Sequence, residues 1–287
     1  MKLIVTHHAP DLDAIAAVWL FKRFDSQTYA DAKVAFVSPG EKISEYDRAQ
    51  LHFNEEEVTH VDTGLGEFDH HQAERAREKN CAASLIFDHL SQLHPELIQD
   101  QALKTIINFA IEIDHFQEIY WPNPSDERYK FMIHELISGL EKLEYHDNDS
   151  MLHFGMTCLD AAYQNLKDHF KAISILEERK IIFTINAGQV LAIATNNDQT
   201  IKLAQKQGYV IAVRKDPDEG HMRIKARPDS KIDLRPLYDK ILELDHEGDW
   251  FYHQGGKMLL NGSGKSQQVP TPLSLEKIIE LIKEIYG

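Results

Sequence analysis

Near the amino terminus, Thr6-His7-His8-Ala9-Pro10-Asp11-Leu12-Asp13-Ala14 places an imidazole and two carboxylates directly after an apolar run, and Asp69-His70-His71 repeats the same chemistry downstream. Carboxylate oxygen and neutral imidazole nitrogen form a hard-to-borderline ligand set suited to Mn²⁺, Mg²⁺, Fe²⁺ or Zn²⁺. Crowding such groups together without a cation stacks like charges at a cost. In His7-x-x-x-Asp11-x-Asp13, the Asp-x-Asp spacing lets the two carboxylates point to different ions. Asp62 ends a second apolar run, where a carboxylate can bridge two cations about 3.5–4 Å apart. His70 adds nitrogen ligation, Asp114 in Ile111-Glu112-Ile113-Asp114 offers a final carboxylate, and His71 lies beside the site, placed to face a substrate. Strand alternation turns His8 away from His7, giving it a structural role. Taken singly, Asp11 also reads as a helix N-cap worth about 1 kcal/mol, and Asp69 as the start of a turn. The joint, in-order set reads as a site for more than one metal ion.

The surrounding pattern explains how these residues could meet. Lys2 to Thr6 predicts a buried strand, and Asp11 to Phe24 a helix with Ile15, Val18 and Phe21 on its apolar face. Lys33 to Val37 predicts a second strand, Glu41 to Phe53 a polar helix, and Val58 to Asp62 a third strand. Strands alternating with helices imply a parallel sheet, in which sites collect at the carboxyl ends of strands. Helices are expected from Cys81 to Leu93, Pro95 to Phe116, Asp126 to Leu143 and Asp149 to Arg179.

Beyond residue 180 the character changes. Short β-branched runs, Ile181–Ile185, Val190–Thr195, Tyr209–Arg214 and Met222–Ala226, alternate with helices expected at Gln199–Gln207, Leu234–Leu244 and Leu273–Ile285. The expected class is α/β: an amino-terminal parallel-sheet domain with helices on both faces, and a smaller mixed α/β carboxyl-terminal domain. The expected division is 1–145, a connecting helical segment 146–180, and 181–287.

At 287 residues the chain is long enough for two cores. No apolar run approaches the roughly 20 residues needed to cross a bilayer, and the apolar start is too short for a signal peptide, so a cytoplasmic protein is expected. Cys81 and Cys158 lack metal-ligand or redox spacing and read as small buried hydrophobes. The net charge of −15 is the wrong sign for gripping long nucleic acid with a basic surface, but it is compatible with a short anionic ligand held locally. Gly262-Ser263-Gly264-Lys265-Ser266 imitates the end of a phosphate-binding loop, yet the first glycine of that motif is replaced by Leu259, so the segment reads as a turn.

The in-order motifs, His7-x-x-x-Asp11-x-Asp13, a strand-ending Asp62, Asp69-His70-His71 and Asp114, resemble the DHH phosphoesterase superfamily over residues 1 to about 120. The short step from Asp62 to Asp69 departs from the longer spacing of most members. The resemblance implies two divalent ions, Mn²⁺ preferred, with Mg²⁺, Fe²⁺ or Zn²⁺ as alternatives. It implies one ion held by His7, Asp11 and Asp62, and the other by Asp13, Asp62, His70 and Asp114. It further implies catalytic roles for His71 and for Asp69 as the residue that orients a histidine. A carboxyl-terminal substrate domain is also implied, in which Arg227 and the loosely matching His253-Gln254-Gly255-Gly256-Lys257 contact substrate; the family's usual Gly-Gly-Gly-His order is absent.

The expected reaction is hydrolysis of a phosphodiester, with a 3′–5′ exonuclease or short-oligonucleotide phosphodiesterase as the leading reading. A hydrolase of pyrophosphate or a cyclic dinucleotide is the rival, and a non-catalytic metal-dependent sensor is the reading from another class. Membrane partners are not expected, and the sequence leaves the oligomeric state open.

Overall fold

The computed structural model describes residues 1–75, 78–143, 147–262 and 268–287. The chain is mixed α/β and divides into two compact units, Met1–Leu166 and Lys167–Gly287.

In the first unit, β1 (Leu3–His7) is the central strand of a three-stranded parallel sheet, flanked by β2 (Lys33–Val37) and β3 (Val58–His60). Leu3, Ile4 and Val5 are fully buried, as expected of a strand covered on both faces. In register, Val5 pairs with Ala35 of β2 and with His60 of β3, so the carboxyl ends of all three strands lie at one edge. From that edge α1 (Leu12–Phe24) begins, N-capped by Asp11, whose carboxylate accepts the Ala14 amide at 3.1 Å. Every residue from Leu12 to Phe21 is buried, so α1 is a core helix. A one-turn helix α2 (Ser26–Tyr29) and a short α3 (Glu45–Gln50) link the strands.

Four further helices follow: α4 (Ala82–Leu93), α5 (Gln101–Asp114), α6 (Ile133–Leu140) and α7 (Asn148–Arg179), the last running on into the second unit. α7 packs on α1 through Gly155, where a Cβ would lie 2.7 Å and 2.8 Å from two methyl carbons of Ile15. Trp19 and Arg23 of α1 both donate to Asp160 of α7.

The second unit carries β4 (Ile181–Ile185), β5 (Gly188–Ala194), α8 (Gln199–Lys206), β6 (Ile211–Lys215), β7 (Met222–Ala226), α9 (Arg235–Leu244), β8 (Trp250–Tyr252), β9 (Met258–Asn261) and α10 (Leu275–Tyr286). Among the described residues its sheet has six strands in the order β4-β5-β6-β7-β9-β8, and only β5 and β6 are parallel, joined through α8. Period-2 alternation divides the core. Val190 and Ala192 face the cluster that holds Leu237 and Ile241 of α9 with Ile278 and Ile282 of α10. Leu191 and Ile193 face Ile201 and Ala204 of α8 with Ala172 and Leu176 of α7.

Several expected elements differ. The polar helix expected from Glu41 to Phe53 shrinks to α3, because the extended Ser44 caps its start by accepting the Asp47 amide at 3.0 Å and His52 beyond its end takes a left-handed φ of 63°. The single helix expected from Pro95 to Phe116 is a 3-10 turn, Pro95–Gln99, then α5, separated by Asp100, which N-caps α5 through the Leu103 amide at 2.9 Å. Residues 126–143 likewise split into a 3-10 turn, Glu127–Phe131, and α6. The hairpin of β8 and β9 was not expected; each strand is only three or four residues long, and Gly255-Gly256 between them reads as a loop in sequence. The phosphate-loop imitation beyond Gly262, residues 263–266, lies outside the described residues.

Candidate metal centre

The parallel sheet explains why the sequence-predicted ligands meet. His7 is the last residue of β1, and Asp11 and Asp13 open α1. Asp62 stands two residues beyond β3, at a φ of 53° that aspartate tolerates better than most residues. A parallel bridge between Val61 and Phe68 folds the chain back so that Asp69, His70 and His71 follow at once. Asp114 is the last residue of α5.

Three sets of side chains bring potential ligand atoms within 4.8 Å of one another: His7, Asp11 and Asp62; Asp62, His70 and His71; and Asp13, His70 and Asp114. Asp62 is shared by the first two sets and His70 by the last two. His7 Nε2 lies 3.3 Å from Asp62 Oδ2. His70 Nε2 lies 3.6 Å from Asp62 Oδ1, 3.6 Å from Asp114 Oδ1 and 3.8 Å from Asp13 Oδ2, all longer than hydrogen bonds. Asp62 Oδ1 and His70 Nε2 are buried with no hydrogen-bond partner. A buried orphan of this kind costs about 1–3 kcal/mol or more. A divalent cation between the two atoms satisfies both, and the oxygen-plus-imidazole donor set fits the ions that the sequence suggests.

The electrostatics agree. Burial and the neighbouring Asp62 and Asp11 push the Asp13 carboxyl well above its ordinary value, against hydrogen bonds that include one from Cys81. Burial together with Asp62 and Asp11 raises Asp114 in the same way. Burial works against a charged His7, but its hydrogen bond to Asp62 and its contacts with His8 and Asp11 carry it up to about 9. Carboxyls reluctant to ionise beside a histidine reluctant to lose its proton mark an excess of negative charge, which bound cations relieve.

Surrounding groups hold the ligands in place. His7 Nδ1 donates to the His8 carbonyl at 2.9 Å, which leaves Nε2 directed at Asp62. Asp13 accepts the Ala82 amide at 2.7 Å on one oxygen and the Ala83 amide at 2.8 Å on the other. Asp69 is wholly buried and accepts the Leu65 amide, the His71 amide and the His71 ring Nδ1, the last at 2.8 Å. Burial raises Asp69, yet these hydrogen bonds hold it below its ordinary value. Burial likewise opposes charge on His71, but the Asp69 bond and the nearby Asp62 raise it. With Nδ1 committed to Asp69, Nε2 is the nitrogen left for chemistry on a ring that is 57 % exposed.

Three positioning residues were missed in the sequence. Asn148, opening α7, accepts the Ala9 amide at 2.8 Å and donates to His8 Nδ1 at 2.8 Å, so it clamps the ligand loop from 140 residues away. Arg75 donates to the carbonyls of Glu67 and Asp69. Cys81, buried at the N-cap of α4, is raised by burial and by Asp13. Only Cys81 carried a signal, a thiol where a hydroxyl or carboxylate cap is usual. Both cysteines are free.

In the second unit, Arg227 follows β7 directly, and Met258 of β9 pairs with Lys225, so Arg227 and the His253–Lys257 turn lie at one end of the sheet. The Arg227 guanidinium is engaged by the Asp229 carboxylate. His253 Nδ1 accepts the Gly255 amide at 3.1 Å. Gly256 has a φ of 72°, and a Cβ there would lie 2.8 Å from Asp233 Oδ1, so the turn itself requires this glycine.

No family model matches the chain, and no curated protein matches it. Two similar solved structures are a DHH-domain protein described as belonging to a family of ribosomal proteins and a manganese-bound exonuclease RecJ. The first is 13 % identical, covering 99 % of this chain and 86 % of that one at a TM-score of 0.32. The second is 12 % identical, covering 99 % and 89 % at 0.34. Among the described residues no helix is long and apolar enough to cross a membrane.

Proposed function

We propose that the protein is a two-metal phosphoesterase that hydrolyses a phosphodiester, acting as a 3′–5′ exonuclease or short-oligonucleotide phosphodiesterase. The observation that carries this reading is the unpartnered pair Asp62 Oδ1 and His70 Nε2 at the junction of three ligand sets. His7, Asp11 and Asp62 would hold one ion, and Asp13, Asp62, His70 and Asp114 the other, with Mn²⁺ preferred. Bound there, two divalent ions supply Lewis acidity toward phosphoryl oxygens and make water acidic enough to attack phosphorus near neutral pH.

The chain's own residues do the rest. Asp62, a member of two of the three ligand sets, would be the carboxylate shared between the ions. Asp69 holds the His71 ring in one orientation and favours its charged form, and in this reading Nε2–H would hydrogen-bond a phosphoryl oxygen or protonate the departing alkoxide. Arg227, His253, Gly255 and Gly256 are assigned to substrate contact, with Arg227 exchanging Asp229 for a phosphate. The net charge of −15 favours a compact substrate over a long strand, which keeps a small phosphate compound such as pyrophosphate or a cyclic dinucleotide as the second reading.

The test is a hydrolysis panel on the full chain with Mn²⁺: bis(4-nitrophenyl) phosphate, dinucleotides, longer single strands, cyclic dinucleotides and pyrophosphate. The expected result is diester hydrolysis that chelation abolishes. A fully metal-loaded protein that cleaves none of these is a binding protein, and the reading is then wrong.

A further inference from the structure

A cavity of about 310 Å³ opens directly beside the ligands, with Asp11, Asp13 and Asp114 in its wall. It lies entirely within the first unit, enclosed by α1, α5, α6 and the start of α7. Its size is at the low end for small-molecule sites, enough for one ring system and too small for a strand. Ile113, Ile137 and Met151 supply apolar walls, the usual lining of a site that takes a ring.

Its polar groups are selective. Besides the three metal-ligand carboxylates, Glu118 and Glu141 line it, and among the described residues lining it there is no lysine or arginine. A phosphate group placed there would meet like charge and find no cation to pair with. Two lining groups hold buried atoms without a hydrogen-bond partner, Glu118 Oε2 and His134 Nδ1. The carboxylate oxygen is an acceptor that calls for an N–H or O–H donor. His134, packed edge-on against Phe109 and Trp121, is held below its ordinary value by burial, which favours the neutral ring, and its buried Nδ1 is left with a hydrogen bond to make.

The rim adds a third feature. Phe116, two residues past the ligand Asp114, also lines the cavity, is 74 % exposed, and takes a left-handed φ of 55° as α5 ends. A phenylalanine in that conformation is strained, and its mostly exposed ring is part of the cavity lining. Aromatic faces so presented are platforms for stacking a base.

We propose that this cavity is a base pocket: it receives the planar, N–H-bearing heterocycle of a nucleotide whose phosphodiester lies at the metal centre, with Glu118 and His134 meeting the ring's polar edge and Phe116 covering its face. This deepens the phosphodiesterase reading and rests on it. It selects a nucleotide substrate over pyrophosphate, since only the former carries a group for this wall.

The test is equilibrium binding to the full Mn²⁺-loaded chain by calorimetry, comparing adenosine 5′-monophosphate with ribose 5-phosphate, which lacks the base. The nucleotide is expected to bind at least 10-fold more tightly, and Glu118→Gln and Phe116→Ala should each shrink that ratio several-fold. Phe116 is mostly exposed, so its variant tests the idea even if Glu118→Gln does not fold. Equal binding of the two probes, or ratios unmoved in both variants, overturns the pocket. Hydrolysis of bis(4-nitrophenyl) phosphate by the same preparation separates the two ideas. Turnover without base preference sinks the pocket alone, whereas base preference without turnover of any ester sinks the phosphoesterase reading and leaves the pocket standing.

Discussion

Asp13 caps a helix that does not contain it: its two carboxylate oxygens accept the Ala82 and Ala83 amides at the start of α4, at 2.7 Å and 2.8 Å, from 69 and 70 residues away. One side chain thus serves as a candidate metal ligand and as the N-terminal cap of a core helix, where backbone amides have no intrahelical partner. Asp13→Ala should therefore cost stability as well as metal. Two buried amides left unpaired cost about 1–3 kcal/mol each, which outweighs the relief of crowding with Asp62 and Asp11. We expect a net loss of about 2 kcal/mol in chelator, read by denaturant unfolding. Asp11→Asn keeps a competent cap and should stay near wild type. An Asp13→Ala protein as stable as the parent would show that the α4 amides do not depend on it.

Asp62 belongs to two of the three ligand sets, and Asp11 to one. Asp62→Asn should consequently lower bound metal below that of Asp11→Asn and abolish turnover. Metal content after desalting decides this. Two tightly held ions in Asp62→Asn would end its bridging role.

His71 is oriented by Asp69 and mostly exposed. His71→Ala should keep its metal and lose turnover by the roughly 10²–10⁴-fold typical of a general acid. Loss of metal in that variant would make His71 a ligand instead.

Gly155 lets α7 approach α1. Gly155→Ala gains up to about 1 kcal/mol in helix propensity, but its methyl would press on Ile15, a wholly buried residue, at 2.7 Å and 2.8 Å. Overpacking at about 1–3 kcal/mol is the larger effect, so a lower melting temperature is expected. A higher one would mean that the two helices separate freely.

In the second unit, Asp245 is 3 % exposed and accepts Thr271 Oγ1, Trp250 Nε1 and the Gly248 amide. Burial raises its pKa, yet these bonds together hold it below the ordinary carboxylate value. The stabilisation is therefore present above the unfolded-state value of about 3.9 and is lost as pH falls through the lower folded one. Unfolding free energies measured from pH 7 down to 2 should show Asp245→Asn weaker at neutral pH and converging on the parent in acid. Parallel curves across that range would contradict this.

Local pattern was enough for much of the molecule. β2, β4 and β7 occupy the residues expected of them, because five apolar or alternating residues bounded by polar ones specify a strand without help. α1 begins where Asp11 can cap it, again a matter of near neighbours. The candidate metal-binding residue types, His7, Asp11, Asp13, Asp62, His70 and Asp114, could be read without the fold, since side-chain chemistry and order along the chain are sequence properties. Pairing decided the rest. That Asp62 and His70 are shared between ligand sets depends on β1 and β3 ending at one sheet edge and on α5 ending beside them, contacts between segments far apart in the chain. The Asp13–Ala82 cap, the Asn148 clamp on the His8–Ala9 loop and the Glu118–His134 wall each join distant segments and leave no periodic trace. The β8–β9 hairpin shows the converse limit: its strands are too short to declare themselves, and only the pairing of β9 with β7 and of β8 with β9 makes them strands, while the close approach of Asp233 makes Gly256 a necessity.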